Sequence, residues 1–175
     1  MSEFERELKG ILTGDNDILQ KITKTCSKSE VSNYMTILSN PFIVIRSAGS
    51  LGIADLVAIR GDMSFLIEIK TSKAKEIRFD RASRANQKQA EKIIRQCEKT
   101  GTLLLYAQRL KGLRGDCWRV FSLDIKGLSG IARLIHDKVP LLRKTKGGIY
   151  VMNWDEGMKL STFIKYLSML IRPNL

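Results

Sequence analysis

Three charged residues interrupt two apolar runs near the middle of this chain. Asp55 directly precedes the run at 56–59, and Glu68 and Lys70 follow the run at 65–67. A charged group inside a core is costly unless it is paired or binds a metal ion. Two carboxylates and a lysine close together are groups that metal-assisted cleavage of a phosphodiester can use.

The two apolar runs predict a β-hairpin, because residues 60–62 between them are the turn-forming triplet Arg-Gly-Asp. Side chains alternate along a strand, so Glu68 and Lys70 project from one face. Antiparallel pairing brings Asp55 to the same end of the hairpin as Glu68. The two carboxylates and the Ile69 carbonyl would then offer the hard oxygen ligands that suit Mg²⁺.

Lys70 has more than one possible role at such a site. It would orient or deprotonate the attacking water, or stabilise negative charge in the transition state. The alternative is a surface hairpin with Glu68 and Lys70 on its solvated face. The context favours chemistry, because the small-residue loop at 47–52 lets a phosphate backbone approach closely and a strongly basic segment follows Lys70.

The charge of the chain predicts a polyanionic partner. The net charge is +12 and the pI about 9.8, which favours nucleic acid ahead of a membrane surface. Residues 70–114 hold 13 bases and 4 acids and so account for +9 of the total. Aromatic residues are 7% of the chain and do not interleave with these bases, which disfavours a stacking platform for single strands. A merely solvated basic face is the alternative.

Several classes of function are disfavoured. The three cysteines are widely spaced and His136 is the only histidine, so neither a zinc site nor nucleophilic catalysis with histidine is expected. No P-loop motif occurs, which predicts no nucleotide cofactor. No apolar run approaches the roughly 18 residues of a spanning helix, and the polar start at 1–5 is unlike a signal peptide. Free thiols suit a reducing cytoplasm, so we expect a cytoplasmic, nucleoid-associated protein.

The periodicity of apolar residues predicts alternating helices and strands in a single domain of 175 residues. We expect an opening amphipathic helix, helical segments between 14 and 41, buried strands at 42–45 and 103–107, an edge-like strand at 77–79, a helix at 85–100 that Gly101 ends, further strands at 118–121 and 149–152, a helix at 131–135 with His136 on its surface, and a final helix at 160–171.

Two of these elements leave alternatives open. In the opening helix, Glu5 borders the apolar stripe and either points toward a site or pairs with Lys9 in solvent. In the final helix, the apolar residues cover more than one face, which fits either a homodimer contact or ordinary core packing.

The motifs taken together resemble the archaeal Holliday junction resolvases, which belong to the PD-(D/E)xK restriction-endonuclease-like nucleases. The likeness covers most of the chain and rests on five stretches. They are Glu-Arg-Glu-Leu at 5–8, Val-Ile-Arg-Ser-Ala-Gly-Ser at 44–50, Asp-Leu-Val-Ala at 55–58 with Leu-Ile-Glu-Ile-Lys-Thr at 66–71, Gln-Ala-Glu at 89–91, and Gly-Ile-Tyr-Val at 148–151 before a terminal helix.

This resemblance implies a homodimer that binds four-way DNA junctions and makes paired nicks with Mg²⁺, for which Mn²⁺ can substitute. It implies that Glu5, Asp55 and Glu68 are the acidic site residues, that Lys70 is the catalytic lysine, and that Ser47 or Ser50 lies in a loop that helps catalysis. The chain departs from the family pattern in two places. Ala54 replaces the usual proline, and the stretch 14–41 is longer than usual and reads as a helical insertion.

We therefore predict an α/β restriction-endonuclease-like fold with a mixed central sheet flanked by helices, and a structure-selective endonuclease of DNA recombination and repair. Expected metal ligands are Glu5, Asp55, Glu68 and Ile69. Expected DNA contacts are Arg46, Lys73, Lys75, Arg78, Arg81, Arg84, Lys88 and Gln89. The alternatives are another nuclease of this fold that acts on flaps, damaged DNA or foreign DNA, and a non-catalytic DNA-binding module.

Overall fold

The computed structural model describes residues 1–47, 53–81 and 84–170. Over these residues the helices are α1 (Glu3–Thr13), α2 (Asn16–Thr23), α3 (Lys28–Met35), α4 (Ala85–Thr100), α5 (Gly130–Lys138) and α6 (Leu160–Met169). The strands are β1 (Ile43–Arg46), β2 (Leu56–Arg60), β3 (Met63–Ser72), β4 (Glu76–Arg78), β5 (Leu103–Leu110), β6 (Trp118–Ser122), β7 (Arg143–Lys144), β8 (Tyr150–Asn153) and β9 (Met158–Lys159).

The main sheet has six strands in the order β1-β2-β3-β5-β6-β9. Strands β3 and β5 run parallel, with α4 as the crossover between them, and the other neighbours pair antiparallel. The apolar run of β5 is buried at almost every position because it lies inside the sheet. The predicted α/β architecture with a mixed sheet is therefore confirmed.

The two faces of this sheet are covered differently. On one face, α1 and α6 place Leu8, Leu12 and Phe163 around Ile67 of β3. On the other face, Tyr106 of β5 packs against Phe79, with ring centroids 5.4 Å apart. Strand alternation puts Glu68 and Lys70 of β3 on this second face, beside α4.

Residues 14–41 fold as α2, α3 and a 3-10 helix at Thr36–Ser39 that pack into the same core. Helix α3 begins with a capping box, in which Ser27 and Glu30 each accept from the other's backbone N–H. The Tyr34 hydroxyl of α3 donates to the buried Asp116 carboxylate over 2.6 Å. This contact ties the segment to the end of the loop before β6.

Two local predictions were wrong. The first strand is an edge strand, not a buried one, since Ile43 and Ile45 are 69% and 52% exposed. The His136 side chain is not on the helix surface, because it turns inward and places Nε2 2.8 Å from the Leu123 carbonyl oxygen. The edge-like strand predicted at 77–79 is confirmed as β4, which lies at the edge of a separate three-stranded sheet of order β4-β8-β7.

None of the described helices is both long enough and apolar enough to span a membrane.

Candidate active site

The β2–β3 hairpin brings the two central carboxylates together. Its register pairs Leu56 with Ile67, so Asp55 and Glu68 are neighbours at the open end of the hairpin and lie on one face. The Asp55 Oδ2 accepts a hydrogen bond of 2.7 Å from the Ile69 backbone N–H. This bond continues the hydrogen bonding between β2 and β3 through a side chain, and it fixes the direction of the Asp55 carboxylate.

Both carboxylates lie in a partly dry environment. Burial raises the pKa of Asp55 above its usual value, while the Ile69 N–H and the Lys70 charge oppose the rise. Burial likewise raises the pKa of Glu68, which is only 4% exposed, and the charge of Asp55 raises it further against the opposing effect of Lys70. The two acids therefore repel each other in a site that solvates them poorly, and a cation between them would relieve both effects.

Lys70 is held by two oxygen acceptors. Its Nζ lies 2.9 Å from Glu68 Oε1 and 3.1 Å from Asn86 Oδ1, and its side chain is 17% exposed. A lysine ammonium has three N–H donors and no acceptor. Two are occupied here, so the positions of Glu68 and Asn86 determine where the third points.

The first turn of α4 supplies polar groups to this cluster. Asn86 contacts Lys70, and the Gln89 side chain opposes the rise in the pKa of Glu68. Asn86 was missed by the sequence analysis. The available signal was its spacing, since residues three apart on a helix share a face and Gln89 was already a candidate.

Glu5 reaches the site region from α1. Its Oε2 accepts from Arg46 Nε over 2.9 Å, in place of the Lys9 pairing considered above. The negative charge of Glu5 also raises the pKa of Asp55. The Ser47 backbone N–H donates to the Asp55 carbonyl oxygen over 3.0 Å, whereas Ser50 lies outside the described residues.

The residues present fit a hydrated divalent cation. Among the described residues, no group of three or more His, Cys, Asp or Glu side chains is arranged to enclose a metal, but Mg²⁺ is commonly held by one or two carboxylates and keeps several waters. The Tyr106 hydroxyl is buried and has no hydrogen-bond partner among the residues that the structure describes. Tyr106 pairs with Glu68 across β3 and β5, and a buried hydroxyl without a protein partner is where bound water is expected.

The seven basic residues among the expected DNA contacts divide into two groups. Arg46, Lys75 and Arg78 pair with Glu5, Asp155 and Asp80 respectively. Four others are exposed and form no ion pair with another described residue, namely Lys73, Arg81, Arg84 and Lys88. Arg84 directly precedes α4 and has a φ of +57°, which is uncommon for a residue with a side chain.

A family of known proteins matches most of this chain. A family model described as archaeal Holliday junction resolvase (Hjc) matches residues 30–171, which include Asp55, Glu68, Lys70 and Gln89 but not Glu5. Among solved structures, that of Hjc from Archaeoglobus fulgidus, a Holliday junction resolvase from an archaeal hyperthermophile, is similar at 18% identity and a TM-score of 0.46, covering 73% of this chain and 88% of that one. No curated protein sequence matches the chain significantly.

The match spans most of the chain, including the two strands that carry the central acids and the helix that follows them. The mixed sheet flanked by helices has the arrangement that the motif resemblance implied. The chain belongs to the archaeal Holliday junction resolvase family.

Proposed function

We propose that this chain is a Mg²⁺-dependent endonuclease that resolves four-way DNA junctions by paired nicks. The observation that carries this proposal is the meeting of Asp55, Glu68 and Lys70 at one end of a hairpin, next to a basic surface. Each acid accepts a hydrogen bond that holds its direction, from Ile69 N–H and from Lys70 Nζ. Such preorganised groups cost no rearrangement at the moment of reaction.

Asp55, Glu68 and the Ile69 carbonyl are the groups that would hold Mg²⁺, with Glu5 nearby in support. When bound, Mg²⁺ or a substituting Mn²⁺ would polarise the phosphoryl oxygen and lower the pKa of a bound water. The Ile69 N–H would fix the direction of Asp55, and the Ile69 carbonyl, which in a strand projects to the same side as the N–H of that residue, would offer the further oxygen ligand. Ser47 would keep Asp55 in place through its backbone bond.

Lys70 would act as a donor. Two acceptors, Glu68 and Asn86, face its Nζ, so the remaining N–H is available to orient the attacking water or to stabilise charge on the phosphate. A base that removes a proton would need a free lone pair on Nζ, which neither neighbouring oxygen favours. The contacts therefore support positioning and charge stabilisation.

Substrate affinity would come from the basic residues around the site. The exposed residues Lys73, Arg81, Arg84 and Lys88 lie between the end of β3, which carries Glu68 and Lys70, and the first turn of α4, which carries Asn86. Phosphate contacts provide affinity and register but little base specificity, which suits recognition of DNA shape. A DNA substrate of this kind would place the protein at the nucleoid.

We also propose a homodimer through the open part of the sheet. The register sets Ile43 beside Ile59 and Ile45 beside Val57, so these side chains form one apolar face. Ile43, Ile45 and Ile59 are 69%, 52% and 36% exposed. Monomers seldom expose such a contiguous apolar patch. The patch lies on the face of the sheet that carries Asp55. A two-fold axis through the patch would therefore bring the candidate active sites of the two protomers toward two opposing DNA strands.

The final helix gives less support for a dimer contact. Leu160, Phe163, Ile164 and Leu167 are buried in the core of the single chain, and Met169 is the exposed apolar residue among those described in this helix. Ordinary core packing therefore accounts for most of its apolar surface.

The proposal is tested by cleavage of four-way, flap and linear DNA at one salt concentration, with and without Mg²⁺. Asp55→Asn, Glu68→Gln and Lys70→Ala should each lower junction cleavage by about 10² or more and should leave binding to DNA largely intact. The matched control is Asp62→Asn, because Asp62 is an exposed carboxylate at the turn of the same hairpin.

Full activity in the three variants would contradict the catalytic assignment. Equal cutting of flaps by the wild type would favour another nuclease role of this fold. Tight binding without Mg²⁺-dependent nicking of any substrate would favour a non-catalytic module.

A further inference from the structure

The turn between β7 and β8 is a preformed basic tip. The Thr145 N–H donates to the Ile149 carbonyl and the Gly148 N–H to the Thr145 carbonyl, each over 2.9 Å. The Thr145 hydroxyl also accepts from the Ile149 N–H over 3.2 Å. Gly148 has a φ of +79°, a conformation that glycine adopts without strain. The tip therefore has a defined shape without any ligand.

The tip carries positive charge that this hairpin does not neutralise. Arg143, at its base, is paired with Glu76 and Glu156. Lys144 and Lys146 are exposed, and neither forms an ion pair with a residue that the structure describes. The Lys144 Nζ lies 4.9 Å from the centroid of the Tyr150 ring, a cation–π contact that orients the ammonium without removing its charge. Next to these lysines, Gly147 and Gly148 leave the backbone uncovered.

One helical turn connects this tip to the candidate active site. The buried Gln87 of α4 donates from Nε2 to the Gly148 carbonyl over 3.2 Å and accepts from the Tyr150 N–H over 2.9 Å. Its neighbour Asn86 contacts Lys70. A turn of α-helix rises about 5 Å and a helix is about 10 Å across, so the tip lies on the order of 10 Å from Lys70.

That separation suits two contacts on one piece of DNA. Phosphates follow each other along the duplex, with one charge per roughly 1.7 Å of axis, and the minor groove is about 6 Å wide. A backbone held at the acids would thus offer further phosphates at the distance of the tip.

We propose that the β7–β8 tip is a second DNA contact, at which Lys144 and Lys146 bind phosphates of the arm next to the cut strand. This inference rests on the proposed function. None of the residues expected above to contact DNA lies in this hairpin. The tip differs from the basic segment at 70–114 because it is remote in sequence. It is held beside α4 by Gln87 and beside β4 by the pairing of β4 with β8.

The test measures binding of an Asp55→Asn protein to a four-way junction across a range of salt concentrations, so that it needs no cleavage. In this background, Lys144→Ala/Lys146→Ala should weaken binding several-fold and lower the slope of log affinity against log salt by about 1 to 2, since each lost phosphate contact removes about 0.9. Gln87→Ala should weaken binding in the same direction if the tip must be held in place.

The matched control is Lys24→Ala/Lys165→Ala, which removes the same charge from exposed lysines at the end of α2 and on α6. Thermal unfolding of each variant checks that the fold is intact. An unchanged salt slope in the tip variant, or an equal decrease in the control, would overturn the second contact. If the wild-type protein binds the junction normally but shows no Mg²⁺-dependent cleavage, that result would count against the proposed function and leave this inference standing.

Discussion

Lys70 and Asn86 are 16 positions apart in the chain, and Lys70 Nζ lies 3.1 Å from Asn86 Oδ1. The lysine belongs to the end of β3 and the asparagine to the first turn of α4, so the contact joins the sheet to its crossover helix. Glu68, 2.9 Å from the same Nζ, is the second acceptor. Together the two oxygens define the direction in which Lys70 can donate.

Replacement of Asn86 should therefore impair catalysis more than binding. We expect Asn86→Ala to lower the single-turnover rate about tenfold, because a hydrogen bond to a charged group contributes about 1.5 kcal/mol, with little change in junction affinity. Asn86→Asp, which keeps an oxygen acceptor, should recover part of the loss. Lys92→Ala, on the exposed side of α4, is the control. A wild-type cleavage rate in Asn86→Ala would show that Lys70 does not need the contact with Asn86.

Glu5 should affect the Mg²⁺ requirement. The Glu5 carboxylate acts on Asp55 but is paired with Arg46. We expect Glu5→Gln to raise the Mg²⁺ concentration for half-maximal cleavage about tenfold, because replacing a residue that supports the metal ligands commonly weakens metal binding by that much. The rate at saturating Mg²⁺ should change less. Glu3→Gln, an exposed acid in the same helix turn, is the control. Identical Mg²⁺ titrations for Glu5→Gln and wild type would remove Glu5 from the site.

The exposed apolar face should control association. Ile45→Glu places a charge in the middle of this face and should convert the proposed dimer to a monomer, as measured by sedimentation velocity at a fixed concentration. Leu134→Glu is the matched control, because Leu134 is 50% exposed on α5 and lies outside that face. A wild-type protein that sediments as a monomer, or a dimer that survives Ile45→Glu, would contradict the proposed interface.

The Tyr34–Asp116 contact should matter for stability. Asp116 accepts from the Tyr34 hydroxyl and from the Ser161 N–H at the start of α6, and all three residues are buried. Tyr34→Phe leaves one carboxylate oxygen without its donor and should lower the free energy of unfolding by about 1–3 kcal/mol. Tyr166→Phe, whose hydroxyl bonds an exposed carbonyl, should cost much less in urea unfolding. Equal costs would show that the buried contact is not an anchor.

The cysteines should respond to pH in a defined direction. Burial raises the pKa of the Cys26 thiol from 9.0 to about 12 and that of Cys97 and Cys117 to about 11. The unfolded chain ionises first, so these thiols favour folding below pH 9 and stability is lost as the pH rises toward 11 and 12. A thiol reagent at pH 8 should label the folded protein far more slowly than the urea-unfolded one. Equal labelling rates would contradict the burial.

The local sequence was sufficient to predict which charged residues the β2–β3 hairpin brings together. Alternation along β3 placed Glu68 and Lys70 on one face, and the turn at 60–62 brought Asp55 to the same end, as the register shows. These are short-range consequences of strand geometry. The helix at 85–100 and its end at Gly101 were likewise predictable, because an amphipathic period and a C-terminal glycine are local signals.

Contacts between distant segments were decided only by the tertiary structure. The sequence could not show that Asn86 faces Lys70, that Glu5 meets Arg46, or that β4 leaves the main sheet for β8. The exposure of Ile43 and Ile45 also depends on β1 lying at an edge, which composition does not reveal. The amino-acid pattern determines which face of an element is apolar or charged, whereas the neighbour of that face depends on how all the elements share one core.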